Sequence, residues 1–183
     1  HAFSHAGQSC ISIQRILLHE DIADKFIERL KTNVESLKVG DPMDPDTDVG
    51  PLITRGDRDR VKEWVDEAVA GGAELVTGGE LVDEDRCLAP TLLRHPSREA
   101  KVWCEEIFGP VLCVQAFSDS NLQAVADEAN RSIYGLSGSV WTQDISVAHR
   151  MAALIDAGQV SINCHAAVDP AIPFGGNRQS GWG

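Results

Sequence analysis

Cys10 closes the stretch Phe3-Ser4-His5-Ala6-Gly7-Gln8-Ser9-Cys10, and a thiol in that setting can do two different things. As a nucleophile it must reach its target and ionise, because the thiolate attacks carbon and an unperturbed cysteine is only a few per cent thiolate at neutral pH. A glycine close by lets backbone and substrate approach, and peptide N–H groups around the sulfur can hold a developing oxyanion. As a structural residue, Cys10 would instead fill a gap as a small hydrophobe. The spacing is short and common, so both readings stand on residue type alone. His5 adds a further arrangement: an imidazole beside a thiol can withdraw its proton, as in cysteine hydrolases, or it can simply be an exposed or capping residue.

A second stretch, Glu105-Glu106-Ile107-Phe108-Gly109-Pro110, must turn sharply while it presents an aromatic ring beside a carboxylate. A carboxylate that accepts from two hydroxyls, with a ring alongside, suits a ribose-bearing ligand; the plain alternative is a solvated acidic pair. His19, His95 and His149 are isolated and His165 sits alone in a late loop, with no metal-ligand spacing among them. The five cysteines are an odd, scattered set without a Cys-x-x-Cys pair. Neither a disulfide framework nor a zinc site is expected, and a reducing cytoplasm is the expected compartment. A net charge of -12 repels phosphate backbones and acidic membrane surfaces, so nucleic acid and membrane are not expected partners. No apolar run approaches the about 20 residues that span a bilayer, and no basic-then-apolar leader opens the chain.

Regular elements must position these residues. The run 15–19 reads as a strand, and Ile22, Phe26, Ile27, Leu30, Val34 and Leu37 follow at helical spacing. Segment 40–54 holds three prolines and two glycines among acidic residues, which predicts an ordered connection or a lid. Thr54 with Asp57 reads as a helix cap, followed by the stripe Val61, Trp64, Val65, Ala68 and Val69 and a stop at Gly71-Gly72. Residues 73–79 read as a short strand, 88–93 as an extended segment whose Pro90 disfavours a central place in a sheet, and 111–117 as a strand. Ser120 with Gln123 is a candidate cap for a helix over 121–130; strand-like 136–142, a helix marked by Val147, Met151, Leu154 and Ile155, and a strand over 158–163 follow. The alternation predicts an α/β fold, one domain over 1–183, with a mostly parallel sheet and helices on both faces. Ligands in such sheets sit at the carboxyl ends of strands, which directs attention to loops 105–110 and 163–176.

Together, FSHAGQSC, EEIFGP, YGLSGSVWT and PFGGNRQSGWG, in this order and at suitable spacing, resemble the aldehyde dehydrogenase superfamily. The likeness extends over essentially all 183 residues, including the connection GDPMDPDTDVGPLI. It implies the catalytic-domain fold of that family and oxidation of a small-molecule aldehyde to a carboxylic acid with NAD or NADP. Cys10 would be the nucleophile, passing through a thiohemiacetal and a thioester, with its backbone N–H in the oxyanion hole. Glu106 would bind the nicotinamide ribose, with Phe108 packed nearby. Phe174 and the loop 164–172, with Cys164 and His165, would form substrate-pocket wall and anchor, while Asn163 would order the base of that loop. A homodimer or homotetramer is implied for the intact enzyme.

The chain departs from the family pattern at His5, where the family usually has asparagine, and at Arg178, where it usually has lysine; neither change removes a catalytic group. The family's general-base glutamate, the upstream oxyanion-hole asparagine, the nucleotide-binding domain and the C-terminal oligomerisation arm are expected to lie outside this chain. The isolated chain is therefore expected to be inactive. The rival classes are a thiol-dependent ester hydrolase using Cys10 and His5, and a non-catalytic interaction domain.

Overall fold

In the computed structural model, which describes residues 1–118, 121–165 and 167–183, the apolar run after Cys10 forms strand β1 (Arg15–His19) and passes directly into helix α1 (Glu20–Glu35). His19 makes that switch: its Nδ1 accepts from the Asp21 backbone N–H at 3.3 Å, which satisfies one donor that a helix start leaves unpaired. Glu20 and Asp21 add negative charge to the first turn, where the helix dipole favours it. The helix buries Ala23, Ile27 and Val34, with Leu30 packed beside them. Ile22 and Phe26, expected in the same stripe, are 53 % and 40 % exposed. The face actually used steps by i, i+4, i+7 and i+11, and those two residues lie off it.

Segment 40–54 lies outside helices and strands, yet it is held. Gly40 N–H donates to the Val49 carbonyl at 3.1 Å, Val49 N–H donates to the Lys38 carbonyl at 3.0 Å, and the Asp48 carboxylate accepts from Lys38 N–H at 2.9 Å. Val49 and Leu52 are buried, so the segment is an ordered connection. Helix α2 (Arg55–Ala70) follows with a reciprocal cap: Thr54 Oγ1 accepts from Asp57 N–H at 3.1 Å and donates to the Asp57 carboxylate at 2.6 Å. Val61, Val65 and Ala68 are its buried face.

The chain then forms β2 (Glu74–Thr77), a small hairpin of β3 (Leu81–Val82) and β4 (Cys87–Leu88), β5 (Thr91–Arg94), the single-turn helix α3 (Lys101–Cys104), and β6 (Val111–Phe117). Four strands make one sheet in the order β1-β6-β5-β2, with β1, β6 and β5 parallel and β2 antiparallel at the far edge. Val111, Leu112, Cys113 and Val114 are all essentially inaccessible; because successive strand side chains point to opposite faces, both faces of the sheet are covered. One correction concerns Pro90. β5 is an interior strand, and the proline is tolerated because it stands just before the first strand residue, where the ladder asks it for no N–H.

These elements belong to the first of two compact units, His1–Phe117; the second is Ser118–Gly183. The second unit contains α4 (Leu122–Ala129), β7 (Tyr134–Gly135), β8 (Ser137–Val140), α5 (Ile145–Leu154), β9 (Gln159–Ile162) and β10 (Asn177–Arg178). β8 and β9 run parallel, β7 and β10 antiparallel. Ala126, Val140 and Met151 form its core. Ser120, a candidate cap for α4, lies outside the described residues; the Asn121 side chain accepts from Gln123 N–H at 3.0 Å and caps the helix. Among the described residues no helix is long and apolar enough to cross a membrane.

Candidate active site

Parallel pairing of β1 with β6 is what brings the two chemically suggestive stretches of the first unit together. The register sets Arg15 opposite Cys113, and Cys113 N–H donates to the Gln14 carbonyl at 2.9 Å. Segments leading into the two strands, 7–14 and 105–110, therefore lie at the same end of adjacent strands. That end is the amino end. The rule that directed attention to carboxyl ends holds in this unit for neither stretch, because here the residues of interest precede their strands.

The contact between the two stretches is backbone on backbone. Gly7 has φ 72°, and a Cβ placed on it would lie 2.0 Å from the Gly109 carbonyl oxygen and 2.5 Å from the Gly109 carbonyl carbon. Gly109 in turn rests on α2, where its own Cβ would meet both Val61 methyls at 2.9 Å. His5 and Ala6, with φ 53° and 55°, precede Gly7 in the same left-handed region, so Ser4–Gly7 is a tight turn rather than an α-helix. Side chains other than glycine reach that region at a cost of about 1 kcal/mol each.

Cys10 stands in the next turn, closed by Ser12 N–H donating to the Ser9 carbonyl at 2.9 Å. The Ser12 hydroxyl donates onward to the Ala2 carbonyl at 3.0 Å. The Cys10 thiol is exposed, and its backbone N–H makes no hydrogen bond among the described residues. Nor does a hydrogen bond join His5 to Cys10 among those residues. Cys87 and Cys113, in contrast to Cys10, are buried. Burial pushes Cys113 up to about 12, with Arg15 pulling the other way. Cys87 is also raised, first by burial and then by the negative charge of Asp83.

Loop 105–110 is pinned at Ile107, which is fully buried and whose carbonyl accepts from an Arg60 guanidinium N–H at 3.0 Å. Arg60 itself lies 4.6 Å above the Trp64 ring. With Ile107 inward, the backbone turns left-handed at Phe108, φ 51°, and leaves that ring 41 % exposed. Glu106 is exposed beside it. No local sequence signal marks Arg60, which reaches Ile107 from α2 across 47 residues of sequence.

In the second unit, Asn163 extends the β8–β9 ladder with its side chain: Oδ1 accepts from Thr142 N–H and Nδ2 donates to the Thr142 carbonyl, both at 2.9 Å. It thus orders the base of the loop after β9. Cys164 and His165 are half-buried at the start of that loop, and Phe174 is 38 % exposed near its end. Beyond Phe174 the tail folds back, with Gly176 N–H donating to the Gly181 carbonyl at 2.8 Å and Arg178 paired to Asp156 at 2.7 Å. The Arg178 guanidinium also donates to the carbonyls of Asn130 and Ser132.

Comparison with known proteins fits this arrangement: the sequence profile of the aldehyde dehydrogenase family matches residues 1–183. The chain belongs to the aldehyde dehydrogenase family. It is 40 % identical over 178 residues to an NADP(+) succinate-semialdehyde dehydrogenase of Mycobacterium tuberculosis, covering 97 % of this chain and 38 % of that protein. Among solved aldehyde dehydrogenases, it is 35 % identical to aldehyde dehydrogenase 21 from Physcomitrella patens, in complex with the reaction product succinate, with a TM-score of 0.92 over 98 % of this chain and 37 % of that one. It is 36 % identical to betaine aldehyde dehydrogenase from Staphylococcus aureus, in complex with NAD+, with a TM-score of 0.93 over 100 % of this chain and 37 % of that one. The chain spans a little over a third of the length of the aldehyde dehydrogenases it matches.

Proposed function

We propose that the chain is the cysteine-bearing part of an NAD(P)+-dependent aldehyde dehydrogenase that oxidises a small-molecule aldehyde to the carboxylic acid. One observation carries this reading: the exposed Cys10 thiol stands on a turn whose Gly7 is stacked on the backbone of the loop bearing Glu106 and Phe108. Cys10 as thiolate adds to the aldehyde carbon and forms a thiohemiacetal, and the unengaged Cys10 N–H is the donor available to the oxyanion. Once the thiohemiacetal has given up its carbon-bound hydrogen as hydride and its hydroxyl hydrogen as a proton, Cys10 carries the acyl group as a thioester until water releases the acid and returns the thiol.

The chain's residues suit a nicotinamide dinucleotide in chemistry: an exposed carboxylate for ribose hydroxyls and a half-exposed ring for the flat heterocycle. When bound, such a cofactor supplies a hydride acceptor. Glu106 would hold the ribose, Phe108 would pack beside it, and Cys164, His165 and Phe174 would line the aldehyde pocket. NAD and NADP remain equal candidates, since relatives named for NADP(+) and bound to NAD+ both match. A homodimer or homotetramer of the intact enzyme and a reducing cytoplasmic setting belong to the same reading, the latter supported by five free cysteines.

The test is NAD(P)+-dependent oxidation by this chain and by a longer protein that includes the rest of the family's length, each with a Cys10→Ser control. The aldehyde panel includes succinate semialdehyde and betaine aldehyde. Expected is negligible turnover by the chain alone, turnover by the longer protein, and a fall of at least about a thousandfold on Cys10→Ser. Turnover that survives Cys10→Ser overturns the assignment; cofactor-free ester hydrolysis abolished by His5→Ala replaces it with the hydrolase.

A further inference from the structure

We infer, resting on Cys10 as the nucleophile, that Gln8 is a positioning residue: its side-chain amide clamps the thiol-bearing turn to the connection 40–54. Gln8 Oε1 accepts from the Ile53 backbone N–H at 2.9 Å, across 45 residues of sequence. Gln8 Nε2 donates to the His5 carbonyl at 3.0 Å, and the Gln8 backbone N–H donates to the same carbonyl at 3.1 Å. The two side-chain bonds fix which way the amide faces, because an N–H partner demands its oxygen and a carbonyl partner demands its nitrogen.

Each anchor of the clamp is adjoined by packed backbone. Ile53 offers only its backbone, since its side chain is 85 % exposed, while its neighbour Leu52 is 7 % exposed and holds that backbone to the core. On the other side, His5 belongs to the left-handed turn that ends at Gly7 against Gly109. Gln8 thus sits between a backbone locked from one direction and a connection locked from another, and the turn that carries Cys10 begins at the next residue. The proline-rich connection is thereby part of the frame of the thiol. Misplacement of a reacting group by about 1 Å can cost a hundredfold in rate, so a tie at this point affects turnover more than folding.

The test reads the clamp and the thiol separately. In this chain, Gln8→Ala is expected to speed hydrogen exchange at the Ile53 N–H at least tenfold, and to raise carbamidomethylation of Cys10 at least threefold relative to Cys164 in the same sample. Buried Cys87 and Cys113 are expected to stay unlabelled in both proteins. In the longer protein, the same substitution is expected to lower kcat about tenfold with KM unchanged. A freed thiol thus labels faster and turns over more slowly, an opposition that a merely structural defect does not produce. Gln8→Glu keeps an acceptor for Ile53 N–H and is expected to hold its exchange within threefold of the unsubstituted chain. Unchanged Ile53 exchange in Gln8→Ala, or Cys10 labelling that rises together with Cys87 and Cys113, overturns the proposal. If Ile53 is freed but turnover proves independent of Cys10, what fails is Cys10 as nucleophile, and the clamp itself stands.

Discussion

Alanine at position 7 would put a methyl carbon 2.0 Å from a backbone carbonyl oxygen, on a residue at φ 72°. Neither conflict can be relieved by a side chain moving aside, because the opposing atom is main chain and belongs to the Gly109-Pro110 turn. Alanine at position 109 meets the Val61 methyls at 2.9 Å, and its backbone is not left-handed. Gly7→Ala is therefore expected to cost about 3 kcal/mol or more, and Gly109→Ala less, because the clash at 109 is longer and asks for no left-handed backbone. Urea unfolding of the two variants checks the order, and equal costs would mean that the Gly7 stack is not the tight contact. At this scale the sequence was informative in kind. A glycine near Cys10 suits the approach of backbone and substrate to the thiol, whereas what lies against Gly7 is the Gly109 backbone, about a hundred residues away, which no local pattern names.

Elements were legible where periodicity is long and strong. β1, α1, α2 and β6 lie where alternation and capping residues put them, and Thr54 with Asp57 forms the cap that their spacing announces. What escaped was short or made by distant pairing. α3 is one turn, the β3–β4 hairpin has two residues per strand, and β10 pairs with β7 across the whole late loop. The side-chain extension of a ladder leaves no mark in periodicity, and only the family resemblance points to Asn163. Asn163 sits at φ 53° and pairs twice with the Thr142 backbone in place of a strand residue. Asn163→Ala removes both bonds and leaves a left-handed alanine. The expected cost is about 1–2 kcal/mol, with faster exchange at the Thr142 N–H. Unchanged exchange there would mean that β8 and β9 hold the loop base without the asparagine.

For the whole molecule, composition sets a strongly acidic surface, and the sheet of the first unit sets a buried thiol at its centre. Cys113 is 0 % exposed, and its Sγ–H donates to the Val102 carbonyl at 3.4 Å. Burial pushes its ionisation from an ordinary value of 9.0 up to about 12. The unfolded chain therefore releases this proton near pH 9, whereas the folded chain keeps it until near pH 12. The neutral thiol's contribution to stability is full below pH 9 and is lost as pH rises toward 12, at up to about 1.4 kcal/mol per pH unit. The other groups that titrate in this range act in both the native protein and a Cys113→Ala variant. The variant gives up packing at neutral pH but has no thiol to ionise, so its unfolding free energy starts lower and falls less steeply between pH 8.5 and about 10.5. Denaturant midpoints across that range measure the two slopes. Equal slopes would show that the Cys113 thiol ionises as readily in the folded sheet as in the unfolded chain, and that the closed packing of β6 on both faces does not hold in solution.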